Sequence, residues 1–301
     1  YATGLMLALI GARAAGRPLR ADPGLADAFA ATLAAPALER AFVAQALVLP
    51  AESFVGEQMA VIDVDGIHTA RETLRAALGG ALGPAWRRAY EVHRDHGPYR
   101  FDQDSVGRRA LKNTALAYLM AAGDAEGKMA CIAQLEHAAN MTDRLAALDL
   151  LVESELPARE AALKSFYARW QDDALVIDKW FSLQATAQRP DAVEVVRRLL
   201  GHEAFRLNNP NRARALIGGF AAGNPTGFHR ADGAGYALVA EQILALDALN
   251  PQVAARLLGP LSRWRRYDAG RQALMQGVLE RILASPRLSR EVYEIAKKSL
   301  T

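Results

Sequence analysis

Apolar and small residues recur at helical spacing along almost the whole chain. Behind Asp104-Ser105, which can cap a helix, Val106, Ala110, Leu111, Thr114, Ala117 and Tyr118 form one stripe at steps of three and four, and Gly123 closes it. Thr142-Asp143 opens a second segment, with Leu145, Leu148, Leu151 and Val152 turned inward, that ends near Pro157. Leu163, Phe166, Tyr167 and Trp170 mark a third, and Val193, Val196, Leu199 and Leu200 a fourth that Gly201 stops. Three further starts share one device. In Asn209-Pro210, Asn224-Pro225 and Asn250-Pro251 the asparagine can cap free N–H groups, while proline fills the first helical position, where its missing donor costs nothing. The Ala-rich stretch from Ala28 to Ala37 suits close helix packing. Val61-Ile62-Asp63-Val64 is the one strand candidate, and it is too short to seed a sheet.

Connections are short and rich in Gly, Pro, Asn and Asp, and no low-complexity linker divides the chain. Short loops between amphipathic helices predict antiparallel neighbours. No strict repeat with fixed residues is present, so the pattern predicts an all-α fold, an irregular superhelical solenoid of antiparallel helix pairs. Such a solenoid lets 301 residues form one domain, 1–301, although single cores stop growing at roughly 250–300 residues. The opening run Gly4 to Ile10 is apolar but shorter than the roughly 18 residues that span a bilayer, and it reads as a buried helix. The chain starts at Tyr1 rather than Met, as a piece of a longer polypeptide would.

Composition changes this picture little. The chain is 51% hydrophobic and 23% charged, ordinary for a globular protein, with 36 basic against 33 acidic residues spread along it. Arg263-Trp264-Arg265-Arg266 could form a basic patch, but no basic tail, Cys/His finger or RNA-recognition signature accompanies it, so a solvated basic face is the favoured reading. A single cysteine, Cys131, excludes an internal disulfide; among Met129, Ala130 and Ile132 it reads as a buried, inert thiol. A disulfide-free chain fits a reducing cytoplasm.

Candidate chemistry is sparse. Zinc needs two or three ligands from one local frame, typically two histidines on adjacent turns of a helix with a glutamate between them. His68, His93, His96, His137, His202 and His229 include no such pair. His202-Glu203 begins the pattern, but Arg206 stands where the second histidine is needed. His93 and His96 sit in a charged helix end and read as a solvated cap. No nucleophile elbow, phosphate-binding glycine loop or dinucleotide fingerprint is present. Trp170, Trp180 and Phe181 read as core, and Asp178-Lys179 as a buried or inter-helix ion pair. On these residues alone the chain is a helical scaffold.

Several ordered blocks carry a resemblance. They are Asn140 to Leu148, Arg169-Trp170, Val176 to Gln184, Asn209 to Gly218, Phe228-His229 with Asp232-Gly-Ala-Gly-Tyr236, Asn250 to Leu257, Arg266-Tyr-Asp268, and the tail around Leu288-Ser289 and Tyr293. Leu49-Pro50-Ala51-Glu52 and the segment Asp65 to Leu78 match more loosely. In these blocks the chain resembles the C-terminal helical domain of bacterial-type aminopeptidase N, a family of zinc-dependent aminopeptidases.

The resemblance implies a bowl of paired helices that closes over a catalytic domain, restricts access to its cavity and lends residues to the substrate site. The family's zinc-binding H-E-x-x-H and its G-[AG]-M-E-N motif are absent here, so zinc and catalysis would belong to other domains of the same polypeptide, and this chain alone would be inactive. Carried over, Gln252 matches a position lining the pocket for the substrate's first side chain. Arg214 and Arg256 match arginines that face the cavity, where they can bind a short peptide's C-terminal carboxylate. The implied partners are the catalytic and N-terminal domains and peptide substrates, with no nucleic acid or membrane; the intact enzyme is expected to be a cytoplasmic monomer. The competing readings are a stand-alone α-solenoid that binds other proteins and an intramolecular chaperone for the catalytic part.

Overall fold

The three Asn-Pro pairs cap as their sequence predicts. Asn209 Oδ1 accepts from the N–H groups of Asn211 and Arg212, Asn224 Oδ1 from Gly227, and Asn250 Oδ1 from Val253, each with proline in the first turn. Two other starts lie slightly upstream of their expected positions. Asp102, not Asp104-Ser105, caps its helix by accepting the N–H of Ser105 at 2.9 Å. Asn140, not Thr142-Asp143, caps the next by accepting the N–H of Asp143 at 2.9 Å. In both places several residues of capping type stand close together, and the outermost takes the role.

The computed structural model describes residues 1–95 and 97–301, and among them no strand is present. His96, one of the histidines considered above, lies outside the described residues. The helices are α1 (Ala2–Ala14), α2 (Pro23–Ala34), α3 (Arg40–Ala46), α4 (Glu52–Glu57), α5 (Val64–Ala81), α6 (Gly83–Val92), α7 (Gln103–Ala121), α8 (Ala125–His137), α9 (Met141–Glu153) and α10 (Ala158–Trp170). They continue as α11 (Ala174–Thr186), α12 (Ala192–Leu200), α13 (Pro210–Ala213), a π turn (Arg214–Gly218), α14 (Gly219–Gly223), α15 (Pro225–Phe228) and α16 (Ala234–Asp247). The last are α17 (Pro251–Leu257), α18 (Gly259–Ser262), a 3-10 turn (Trp264–Arg266), α19 (Ala269–Leu283) and α20 (Arg290–Leu300). No described helix is long and apolar enough to cross a membrane.

The chain forms two units, one of residues 1–58 and 65–162, the other of residues 59–64 and 163–301. In the first, α7 packs against α3, α6, α8 and α9. Its core is built on Trp86, which is fully buried, stacks on Tyr118 at 4.6 Å and donates its indole N–H to the Leu78 carbonyl at 3.0 Å. The Tyr118 hydroxyl in turn donates to the Leu47 carbonyl at 2.6 Å. Met6, Leu9 and Ile10 of α1 are buried, as the apolar opening run predicts. Cys131 is fully buried, and burial alone pushes its thiol up to about 12, far from a nucleophile's range.

In the second unit α11 packs against α12 and the π turn, and α16 against α17 and α19. Phe181, Phe220, Phe228 and Tyr236 are wholly buried there. Trp180 packs edge-on against Phe181 at 5.1 Å and donates to the Leu163 carbonyl at 3.1 Å, so both are core residues, while Trp170 packs on Phe166. Asp178 does not pair with Lys179. Its carboxylate meets Arg212 Nε at 3.1 Å, and Lys179 is exposed. Adjacent residues on a helix point about 100° apart, so i and i+1 cannot face each other. The arginines after Arg263 are structural as well. Arg265 donates to the Ser299 and Leu300 carbonyls at the end of α20, and Arg266 to the Met59 carbonyl at 2.7 Å. The strand candidate forms no strand; Ile62 N–H donates to the Arg266 carbonyl at 2.7 Å in an irregular connection.

Candidate functional site

The three residues singled out by the resemblance all lie in the second unit. In α17, Val253, Ala254 and Leu257 face inward, which leaves Gln252 and Arg256, four residues apart, on the exposed side. Arg214 opens the π turn and is also exposed. Among the described residues, none of the three side chains makes a hydrogen bond or ion pair.

Gly218 joins the two elements. A Cβ at that position would lie 3.7 Å from Leu257 Cδ2 and 3.9 Å from Arg214 Cβ, in ordinary van der Waals contact with both. Chemically the surface offers two guanidinium groups with uncommitted donors and one neutral carboxamide. An arginine fork matches a carboxylate in two parallel hydrogen bonds, and glutamine can donate or accept without adding charge.

Other residues weighed above have structural employment. The His202 ring sits among Tyr167 (4.8 Å), Trp180 (5.1 Å) and Phe181 (5.8 Å), its Nδ1 accepts the N–H of Ala204, and burial lowers its affinity for a proton. His93 ends α6 with Nδ1 2.7 Å from the Ala89 carbonyl. In the Asp232-Gly-Ala-Gly-Tyr236 block, Gly233 takes a positive φ of 74° ahead of α16, and the buried Tyr236 hydroxyl lies 2.9 Å from His229 Nδ1. That block is a turn locked into the core.

Two features went unseen in the sequence. One is the π turn itself. The other is a buried polar network in the first unit, where Asp143 accepts from Lys112 Nζ at 2.6 Å, Asn113 at 2.9 Å and Asn140 at 2.9 Å, and Gln134 bridges Asn113 and the Asp143 carbonyl. The spacing Asn140-x-x-Asp143, a capping-box pattern, was its one sequence signal. A cleft of about 400 Å³ lies over this network, between Tyr90, Tyr99 and His137, and contains none of Arg214, Gln252 and Arg256.

Among the described residues no three His, Cys, Asp or Glu side chains could hold a metal ion together. A zinc centre therefore does not fit the residues described for this chain.

Packed helices with no strand among the described residues define an all-α protein. The chain belongs to a family of ARM repeats described as a domain of unknown function, DUF3458_C, which matches residues 1–301. It is 41% identical over 293 residues to aminopeptidase N of Caulobacter vibrioides, covering 97% of this chain and 34% of that protein. To aminopeptidase N of Escherichia coli it is 38% identical over 285 residues, covering 95% and 33%. The crystal structure of Legionella pneumophila aminopeptidase A in complex with aspartic acid superposes with a TM-score of 0.90 at 32% identity, covering 99% of this chain and 36% of that one. The chain thus spans about a third of the length of the curated relatives it matches.

Proposed function

We propose that residues 1–301 act as one domain, the C-terminal helical domain of a zinc-dependent aminopeptidase that removes N-terminal amino acids from peptides. The observation that carries this reading is the near-complete match of the chain to about a third of aminopeptidases N at around 40% identity. In this reading the domain closes over the active-site cavity and restricts access to it. Its partners are the catalytic and N-terminal domains of the same polypeptide, which acts as a cytoplasmic monomer.

The metal and its base belong to the part of the polypeptide outside this chain. What this chain contributes is binding. Gln252 touches the substrate's first side chain and orients it without imposing a charge. Arg214 and Arg256 hold the C-terminal carboxylate of a short peptide, a charge-assisted contact that is stronger than a neutral hydrogen bond. The exposed, unemployed state of all three side chains supports this assignment, because an arginine with a structural role would be expected to have a partner.

The test is to mix this chain with the same polypeptide truncated before Tyr1 and to follow hydrolysis of an aminoacyl amide and of a short peptide, after confirming that both parts are folded. Binding together with restored peptide turnover is expected. Two folded parts that neither associate nor alter turnover would leave an independent interaction module as the better reading. The chain alone is expected to show no turnover.

A further inference from the structure

In the first unit two arginines and a carboxylate share a cleft without meeting. Arg71 and Arg75, four residues apart on α5, and Asp149 of α9 all line a cleft of about 280 Å³. Glu72 claims the arginines: Arg75 Nη1 donates to its two carboxylate oxygens at 2.9 and 3.1 Å, and Arg71 Nη1 lies 3.5 Å from one of them. Arg71 Nε is spent on the Pro50 carbonyl at 3.2 Å. Asp149 is left over. Among the described residues it makes neither a hydrogen bond nor an ion pair.

The unused atoms therefore carry both signs of charge. The Nη2 groups of Arg71 and Arg75 and both Asp149 oxygens have no protein partner, and none of these atoms is sealed off from the outside. A partly buried carboxylate without donors is costly, and folded proteins keep few of them. Burial pushes this one up to about 6 although Arg75 opposes the shift. The hydroxyls nearby bring no remedy, because Tyr118 is spent on the Leu47 carbonyl and Thr114 on the Ala110 carbonyl.

Charge and size together restrict what could fill the space. An anion alone would meet Asp149, with Glu153 one turn along α9 in the same lining, and a cation alone would meet two guanidinium groups. A ligand that carries both charges close together satisfies both sides. The volume is just below the roughly 300–1,000 Å³ of pockets for drug-sized ligands, so the ligand is small. Val48, Leu49 and Leu150 supply an apolar wall beside the charges.

We propose that this cleft binds a free α-amino acid with an apolar side chain: the ammonium on Asp149, the carboxylate on the unused donors of Arg71 and Arg75, and the side chain against Val48, Leu49 and Leu150. An arginine fork suits the carboxylate, and both polar contacts are charge-assisted. The proposal does not depend on the roles given to Arg214, Gln252 and Arg256. In an aminopeptidase a free amino acid is the class of product released, so occupancy of this cleft would report product to the helical domain.

The experiment measures binding of leucine to the whole polypeptide by equilibrium dialysis, at about pH 7.5, where Asp149 has lost its proton. Two analogues run beside it: 3-methylbutylamine, which lacks the carboxylate, and 4-methylpentanoate, which lacks the ammonium. Asp149→Asn keeps the shape and removes one charge, and Arg75→Gln removes the other. Circular dichroism and turnover of an aminoacyl amide check that both variants are folded. The wild type is expected to bind one leucine per chain that each variant binds at least about tenfold more weakly, one charge-assisted contact's worth. Neither analogue should show such a difference between wild type and variants. Equal leucine binding in wild type and Asp149→Asn would overturn the proposal, whatever becomes of amide turnover. Loss of amine binding in Asp149→Asn as large as the loss of leucine would make this a cation site and overturn the amino-acid assignment. If Arg75→Gln does not fold, Asp149→Asn and the analogues decide.

Discussion

Lys112 Nζ lies 2.6 Å from Asp143 Oδ2, and both side chains are almost wholly buried. Neither charge could be buried alone, because an isolated ion in a low-dielectric interior ionises only at a large free-energy penalty. The pair is tolerated because Asn113 and Asn140 supply two further donors to the carboxylate. Removing one partner leaves the other uncompensated. Lys112→Ala is therefore expected to destabilise the chain by about 3–5 kcal/mol. Lys112→Met with Asp143→Leu should be less destabilising than the sum of the two single changes. Urea unfolding of the four proteins gives the coupling directly, and strictly additive effects would mean that the pair is not an energetic unit.

Asn224 and Asn250 occupy the same place in the same Asn-Pro device, yet their burial differs. Asn250 makes one capping hydrogen bond at a partly open position, so Asn250→Ala should cost about 1 kcal/mol. Asn224 is wholly buried, and besides capping Gly227 its amide donates to the Ala185 and Ala187 carbonyls at 3.0 and 2.6 Å. Asn224→Ala strands two buried carbonyls as well as a helix N–H, and a loss of about 3 kcal/mol or more is expected. Denaturant midpoints of the two variants check the difference; equal losses would show that the buried carbonyls find other donors.

The all-α architecture was legible because its signals are local. The Asn-Pro starts, the stripes at steps of three and four and the apolar first helix each depend on residues within a few positions of one another. Where several capping residues crowd together, as at Asp102 to Ser105 or Asn140 to Asp143, the choice among them depends on the path of the incoming chain, and sequence alone placed both starts too late. The Asp178–Arg212 pair and the Lys112–Asp143 network were not legible, because their partners are 34 and 31 residues apart. The π turn did leave a trace in the four-residue spacing of apolar pairs around Leu216-Ile217 and Phe220-Ala221. Nothing in periodicity distinguished Arg214, Gln252 and Arg256 from other exposed polar residues; only the family resemblance did.

Gly235 and Gly277 should respond in opposite ways to the same substitution. A Cβ on Gly235 would lie 2.4 and 2.5 Å from the Phe228 and Gly227 carbonyl oxygens, which are backbone atoms that no side-chain rotation can move aside. Gly235→Ala is expected to destabilise by about 3 kcal/mol or more, the penalty of overpacking where the backbone must shift. Gly277 lies within α19 with nothing near its missing Cβ, so Gly277→Ala should stabilise by about 0.5–1 kcal/mol through better helix propensity. Thermal unfolding of the two variants checks both signs, and a tolerated Gly235→Ala would show that α15 and α16 can separate.

Asp149 gives the first unit a stability that falls as pH rises. Its carboxyl borders a cleft of about 280 Å³ with Arg71, Arg75, Tyr118 and Glu153, and burial pushes its pKa up to about 6, which Arg75 only partly opposes. An unfolded aspartate titrates near pH 3.9. The folded state therefore binds the proton more tightly, so the favourable contribution of the protonated form is fully present below about pH 4 and is lost as pH rises through about 6. The two-unit difference corresponds to about 2–3 kcal/mol between these limits, an order-of-magnitude figure. Asp149→Asn keeps the shape and removes the ionisation, so it should stabilise the chain by up to about 2 kcal/mol at pH 8 and by little at pH 4. Urea midpoints of both proteins at pH 4, 6 and 8 measure this. A gain of equal size at all three values would assign the effect to the amide's hydrogen bonding and not to the charge.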